Sequence, residues 1–345
     1  MPFADLVGHQ RATALLQAAI AHNRVAHAYL FHGPDQIGKR RLAIRFIQAM
    51  CCTRTAPSGP PDACSDCRSC QQIASGSHPD LCLVSPDRSG ATPRIRVEDI
   101  RELESRLIYR PLIAERKFCL IDDADRLTIE AANALLKTLE EPPGFALLIL
   151  VTSRPFALPA TIRSRCQALR LIAPTYAETR QALIAQRGLS AHDAQLATAV
   201  TEGRLGEAMT LDLDARRTQH DHLATLTAPA SLRSISTLLT TADTLAKGDD
   251  AATDVLDRLA VWVHDIVLTQ LGVGRDHLAH PDHERALRTL ADAADMDRLV
   301  DVLAEIDTFQ RNSARNLNPQ LMLEQVLLTL RDALHRAPAR PTAAR

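Results

Sequence analysis

Through the first half of the chain, short apolar runs alternate with longer segments whose apolar positions recur every three or four residues. The short runs, at Val25–Phe31, Leu81–Val84, Lys117–Ile121 and Leu147–Val151, predict buried strands. The periodic segments predict helices at Arg11–Ala21, with Leu15, Leu16 and Ile20 on one face, and after Lys39, with Leu42, Ile44, Phe46 and Ile47. Two more follow at Ile95–Ile108 and Ala131–Glu141, the latter capped by Thr128 and stopped by Pro142-Pro143. Strands and helices in alternation specify a parallel sheet covered on both faces, with ligands at the carboxyl ends of its strands. The second half reads differently. Thr175–Gln186, Ala191–Thr201 and Leu205–Asp212 predict three short helices, and a break falls at Ala228–Ser231. Beyond it, Asp254–Leu271, Leu299–Phe309 and Leu321–Leu334 carry helical stripes, and the Pro- and Ala-rich tail from Ala337 predicts disorder.

With 345 residues the chain is long enough for two or three domains. A net charge of −1 gives no global pull toward nucleic acid or an anionic membrane, so any DNA contact must come from a local patch. Arg40, Arg41, Arg45, Arg94, Arg96 and Arg101 are candidates for one, although a solvated face is the better reading of scattered arginines. The N-terminal residues lack a basic region followed by an apolar one, and no apolar run approaches bilayer length, so a cytoplasmic protein is expected.

Candidate chemistry begins after the first strand. Gly33-x-x-x-x-Gly38-Lys39 has the spacing of a phosphate-cradling P-loop, in which backbone N–H groups face the phosphates and the lysine reaches their outer oxygens. The next position, where a Ser or Thr hydroxyl would hold Mg²⁺, is Arg40. About eighty residues on, the third strand ends in Asp122-Asp123, an acidic pair that in phosphoryl-transfer sites organises the metal and polarises water. Asp123 is one methylene shorter than the Glu usual in that second role. Thr152 and Ser153 end the fourth strand where hydroxyls could sense a terminal phosphate.

Eight cysteines in a reducing compartment are tested first for metal. Cys64-x-x-Cys67-x-x-Cys70 lies in a Pro/Gly/Ser-rich insertion shortly after Cys51-Cys52, and Cys52, Cys64, Cys67 and Cys70 form the expected zinc set. Cys51 competes for the first position. Four protein ligands leave no open coordination site, so the expected role is structural. His78, beside Pro79, reads as a turn residue.

Val7–Gln10, His27–Pro34, the cysteine knuckle, Ala132–Pro143 and Ser164-Arg165-Cys166 together resemble the bacterial clamp-loader subunits of the AAA+ superfamily. The resemblance covers most of the chain. It implies an α/β fold: an AAA+ P-loop parallel sheet over 1–172, with the zinc knuckle inserted around 51–72. A small helical lid over 173–226, an all-α collar over 227–336 and a tail at 337–345 would follow. The collar expectation rests on the Asn316–Glu324 segment. It also implies a hetero-pentamer with gamma/tau and delta subunits, a sliding clamp and primer-template DNA as partners, no membrane, and a place in the DNA-directed DNA polymerase III holoenzyme, a nucleotidyltransferase complex. Arg165 would be an arginine finger acting in trans.

Two types exist within that group: an ATP-hydrolysing gamma/tau motor and a non-hydrolysing delta-prime stator. Arg40 and Asp123 depart from the motor pattern, and Gly206 in Gly203–Met209 stands where motors carry the sensor-2 arginine of the lid. These departures favour the stator, for which ATP would be a ligand at most and not hydrolysed, over the motor. A zinc-dependent nucleic-acid-binding module fits less well, because the knuckle lacks interleaved aromatics.

Overall fold

A computed structural model of the chain describes residues 3, 6–54, 59–87, 93–228, 234–247, 252–311 and 318–334. The expected disordered tail and most of the break at 228–231 lie outside them. The chain forms two compact units, one of Met1–Ala182 with Gly203–Met209, the other of Leu183–Glu202 with Thr210–Arg345.

In the first unit five strands form one parallel sheet: β1 (Ala28–His32), β2 (Leu81–Val84), β3 (Lys117–Ile121), β4 (Ala146–Thr152) and β5 (Gln167–Arg170), in the order β2-β3-β4-β1-β5. Its helices are α1 (Gln10–Ala21), α2 (Lys39–Cys51), α3 (Arg68–Ala74), α4 (Val97–Leu107), α5 (Ile129–Glu140) and α6 (Ala160–Arg165). The start of α7 (Tyr176–Arg187) also belongs to it.

Successive strand residues point to opposite faces, and both faces are covered, which is why the strands are nearly continuous apolar runs. Ala28, Leu30, Cys119, Ile121, Leu148 and Leu150 pack with Ile100, Leu103, Leu135 and Leu139 of α4 and α5. Tyr29, Phe31, Phe118, Leu120, Leu147 and Ile149 pack on the other side with Leu16, Leu42, Phe46 and Ile47 of α1 and α2. Leu15, expected on the apolar face of α1, is instead 56% exposed, and Ala12 takes its place in the core. His78 sits buried at the turn before β2, its Nδ1 accepting the Asp80 N–H at 3.2 Å. The Asp80 carboxylate accepts N–H groups of Leu112, Ile113 and Ala114 at 2.6, 2.7 and 2.8 Å. Burial would raise its pKa, but these three donors hold it below the ordinary carboxylate range.

The second unit is helical among the described residues. After the end of α7 come α8 (Ala191–Val200), then, beyond α9 (Leu205–Thr210) of which only the last residue belongs here, α10 (Leu213–Leu226) and α11 (Ile235–Lys247). The unit closes with α12 (Ala252–Gln270), α13 (Glu284–Ala293), α14 (Met296–Arg311) and α15 (Pro319–Leu334). The α12 stripe of Val255, Leu259, Trp262, Val263 and Ile266 packs against Leu299, Val302 and Ile306 of α14 and Leu323, Val326 and Leu330 of α15. Among the described residues no helix is long and apolar enough to cross a membrane.

Candidate functional site

The sheet order makes β3, β4 and β1 neighbours, so the three segments that carry candidate chemistry leave the sheet side by side at its carboxyl edge. Gly33 ties the loop after β1 to the end of β4 by donating its N–H to the Thr152 carbonyl at 3.4 Å. Gly38, the N-cap of α2, has φ 95°, a left-handed conformation that a side chain would strain. Between these segments lies a cleft of about 980 Å³, walled by the loop, the Asp122–Asp123 turn, Ser153, Arg154 and the Arg204–Gly206 segment.

Lys39 and Arg40 each face a carboxylate of the cleft. Lys39, 7% exposed, donates from Nζ to the Pro34 carbonyl at 2.6 Å and lies 3.7 Å from Asp35 Oδ1. Burial lowers its pKa, with Asp35, Asp123 and Asp122 pulling the other way. Arg40 Nη1 lies 3.5 Å from Asp122 Oδ2. Burial raises the Asp122 pKa, the adjacent Asp123 adds to the rise, and Arg40 opposes it. Asp123 is left-handed at φ 47°, ψ 49°, and donates its N–H to Asp122 Oδ1 at 3.2 Å. A magnesium ion does not fit this donor set: the hydroxyl ligand is replaced by a guanidinium, and that guanidinium already neutralises the carboxylate.

The two candidate sensor hydroxyls part company. Thr152 is fully buried, its Oγ1 donating to Asp125 Oδ1 at 2.6 Å and accepting the Arg154 N–H at 2.9 Å. Ser153 lines the cleft and Thr152 does not.

At the position where motors carry an arginine, the Gly206 N–H donates to the Gln36 carbonyl at 2.8 Å, holding the start of α9 against the loop. A Cβ at residue 206 would stand 2.8 Å from that backbone oxygen, closer than real contacts allow. Gly206→Arg is therefore expected to destabilise the chain by about 1–3 kcal/mol, read as a lower urea midpoint. An unchanged midpoint would mean that the loop yields without cost. Two residues earlier, Arg204 lines the cleft and pairs with Glu207 at 3.2 Å. Sequence reasoning passed over it because the expected pattern puts the arginine at 206; its local signal is a basic residue at the same helix start, two positions early.

Arg165 ends α6, 36% exposed, and is not among the residues lining the cleft. Its Nη2 meets Glu140 Oε1 at 2.7 Å, and its Nη1 donates to the Thr161 carbonyl at 3.0 Å. Glu140, the last residue of α5, thus orients the guanidinium.

The cysteines gather at the end of α2. The Sγ atoms of Cys52, Cys64, Cys67 and Cys70 all lie within 4.8 Å of one another, and four cysteines so close could bind a metal such as zinc. Tetrahedral zinc thiolates sit about 3.8 Å apart, given Zn–S bonds of about 2.3 Å. Cys52 Sγ accepts the Cys64 N–H at 3.3 Å and Cys64 Sγ the Cys67 N–H at 3.2 Å. Gln48, buried in α2, braces the knuckle by donating to the Cys70 carbonyl at 2.6 Å. Cys51 is outside the cluster, packed against the sheet-side core, and burial pushes its thiol up to about 12.

A sequence profile described as "DNA polymerase III, delta subunit" matches residues 8–175, and one described as "DNA polymerase III, delta subunit, C terminal" matches residues 213–332. DNA polymerase III subunit delta′ of Pseudomonas aeruginosa is 42% identical over 141 residues, 41% of this chain and 42% of that protein. The delta′ subunit of Bacillus subtilis is 36% identical over 193 residues, 55% of each. The tau subunit of Escherichia coli is 32% identical over 262 residues, 74% of this chain and 38% of that protein. The alignments thus span about half or less of each relative's length. Taken together, the two profile matches leave only short stretches of the chain unassigned, and the chain belongs to the family of DNA polymerase III delta and delta-prime subunits.

Proposed function

We propose that the chain is the delta-prime-type stator of a bacterial clamp loader. It holds the geometry of a hetero-pentamer with gamma/tau and delta subunits while the motors use ATP to open a sliding clamp and place it on primer-template DNA. The observation that carries this reading is the Arg40–Asp122 pair at 3.5 Å, in which a cation stands in place of the hydroxyl, and against the carboxylate, that a hydrolytic site needs for its metal. A chain with its own site so altered still serves its neighbours through Arg165, the arginine finger offered in trans.

The fold is read as AAA+, with the sheet domain over 1–172, a lid over 173–226 and a collar over 227–336. Gly33, Gly38, Lys39, Arg40, Asp122, Asp123, Thr152 and Ser153 are the remains of a nucleotide site. Cys52, Cys64, Cys67 and Cys70 hold a structural zinc. The protein works in the cytoplasm, within the DNA-directed DNA polymerase III holoenzyme.

Lys39→Ala tests the assignment. In a clamp loader reconstituted with this chain, DNA-stimulated ATP hydrolysis is expected to stay within about twofold of wild type, because the lysine serves no turnover. The relation to tau favours one competitor, a gamma/tau-type motor whose Arg40 is offset by another metal contact. For a motor, the same substitution removes a phosphate-binding cation and collapses hydrolysis, and that outcome would sink the stator reading.

A further inference from the structure

The misfit of magnesium to this cleft has a consequence for what the cleft can hold. In P-loop sites the metal neutralises the phosphates and links them to the acidic strand end. Here one guanidinium nitrogen of Arg40 already faces Asp122 at 3.5 Å, while the side chain as a whole is 56% exposed. A guanidinium carries five N–H donors in a planar fork, so it can serve a carboxylate on one edge and a phosphate on another. We propose that the cleft binds a nucleoside polyphosphate without magnesium, with Arg40 bridging Asp122 and the phosphates in the place of the ion. This rests on reading the loop as the remains of a nucleotide site.

Three further features support it. Lys39 lies in the loop beside Arg40, its Nζ satisfied by the Pro34 carbonyl, which phosphate oxygens can replace. Arg204 is a further cation in the wall. His9, 3% exposed and also in the wall, donates from Nε2 to the Ile37 carbonyl at 2.7 Å, and its Nδ1 has no partner among the described residues. With Nε2 carrying the hydrogen and burial holding the ring neutral, Nδ1 is an acceptor. A bare polyphosphate has no donor for it at neutral pH, whereas a nucleoside has amino and hydroxyl groups. Added magnesium, by contrast, competes with Arg40 for the phosphates and is repelled by it.

Isothermal titration of the full chain with ATP, in EDTA and in excess magnesium, tests the proposal. Binding in EDTA is expected to equal or exceed binding in magnesium. In Arg40→Ser the EDTA affinity is expected to fall by roughly tenfold or more, with magnesium now restoring part of it. Circular dichroism melting checks that the variant folds; should it not, Arg40→Lys keeps the charge without the fork and is expected to lose affinity in the same direction. Wild-type binding that requires magnesium overturns the inference, as does the absence of binding under both conditions. The latter leaves the stator assignment standing, because that assignment is read from the assembled loader's hydrolysis. Inorganic pyrophosphate that competes as well as ATP overturns the nucleoside part.

Discussion

Arg165→Ala in a reconstituted clamp loader is expected to slow DNA-stimulated ATP hydrolysis by about 10³-fold while leaving assembly intact. The size follows from the chemistry of phosphoryl transfer, in which charge spreads over the transferred group and a guanidinium delivered from a neighbour stabilises it. Arg165 suits that task. It sits at a helix end, partly exposed, and is steered by Glu140 at 2.7 Å rather than left to sample many rotamers. Glu140→Gln keeps one acceptor for the guanidinium but drops the charge, so a smaller loss is expected there. Arg165→Lys retains the charge and loses the planar fork, so it is expected to rescue little. Gel filtration of each assembly separates the chemical effect from a broken ring. If an assembled loader with Arg165→Ala hydrolyses ATP at the wild-type rate, the finger is not supplied by this residue.

The contrast with Lys39 shows how differently two cations of one chain are placed. Lys39 is buried in its own loop and tied to that loop's carbonyl and carboxylate, whereas Arg165 is presented at the surface away from the cleft lining. Both positions were legible from short motifs. Their surroundings were not, because each partner is distant or unremarkable in sequence. Arg40 and Asp122 are about eighty residues apart, and only the β1-β4-β3 adjacency brings their loops together. Gly206 read as a missing arginine; that its N–H supports Gln36 depends on how α9 meets the loop.

The strands that run apolar on both faces were readable because full burial leaves no polar positions to blur the signal. β5 escaped notice for the opposite reason: Gln167-Ala168-Leu169-Arg170 is an edge strand, largely exposed, with polar ends. α3 was hidden inside the insertion, where Arg68–Ala74 is too short to display a period and its burial depends on Ser69, Cys70 and Ile73. In the second unit α13 was missed although Leu287, Leu290 and Ala291 recur at the spacing of one helical face and are buried. Thr152 shows the limit from another side: a hydroxyl in the expected place is consumed by Asp125 and Arg154 before any ligand can meet it.

Removing the metal from the cysteine cluster is expected to cost the chain about 3–5 kcal/mol of stability, or roughly 6–20 °C in melting temperature. Isolated zinc modules lose their fold altogether when stripped. The effect is smaller here because α2 is independently anchored by Leu42, Phe46 and Ile47 in the sheet core. What such a metal would hold is the short segment carrying Ala63, Cys64, Cys67 and Cys70, whose own apolar cluster includes little else, together with the α3 turn that Gln48 supports. Hydrogen exchange should therefore accelerate over residues 59–74 on chelation while β1, β3 and β4 stay protected. Cys64→Ser should lower bound zinc, measured by atomic emission, from one equivalent to near none, and reproduce the lost stability. Cys51→Ser should leave zinc at one equivalent, because that thiol packs in the core and burial keeps it protonated to about pH 12. A purified chain that carries no zinc and melts identically with and without chelator would show that these four sulfurs are brought together by packing alone. Retention of zinc in Cys64→Ser with loss in Cys51→Ser would move the first ligand back to the residue that the fold buries elsewhere.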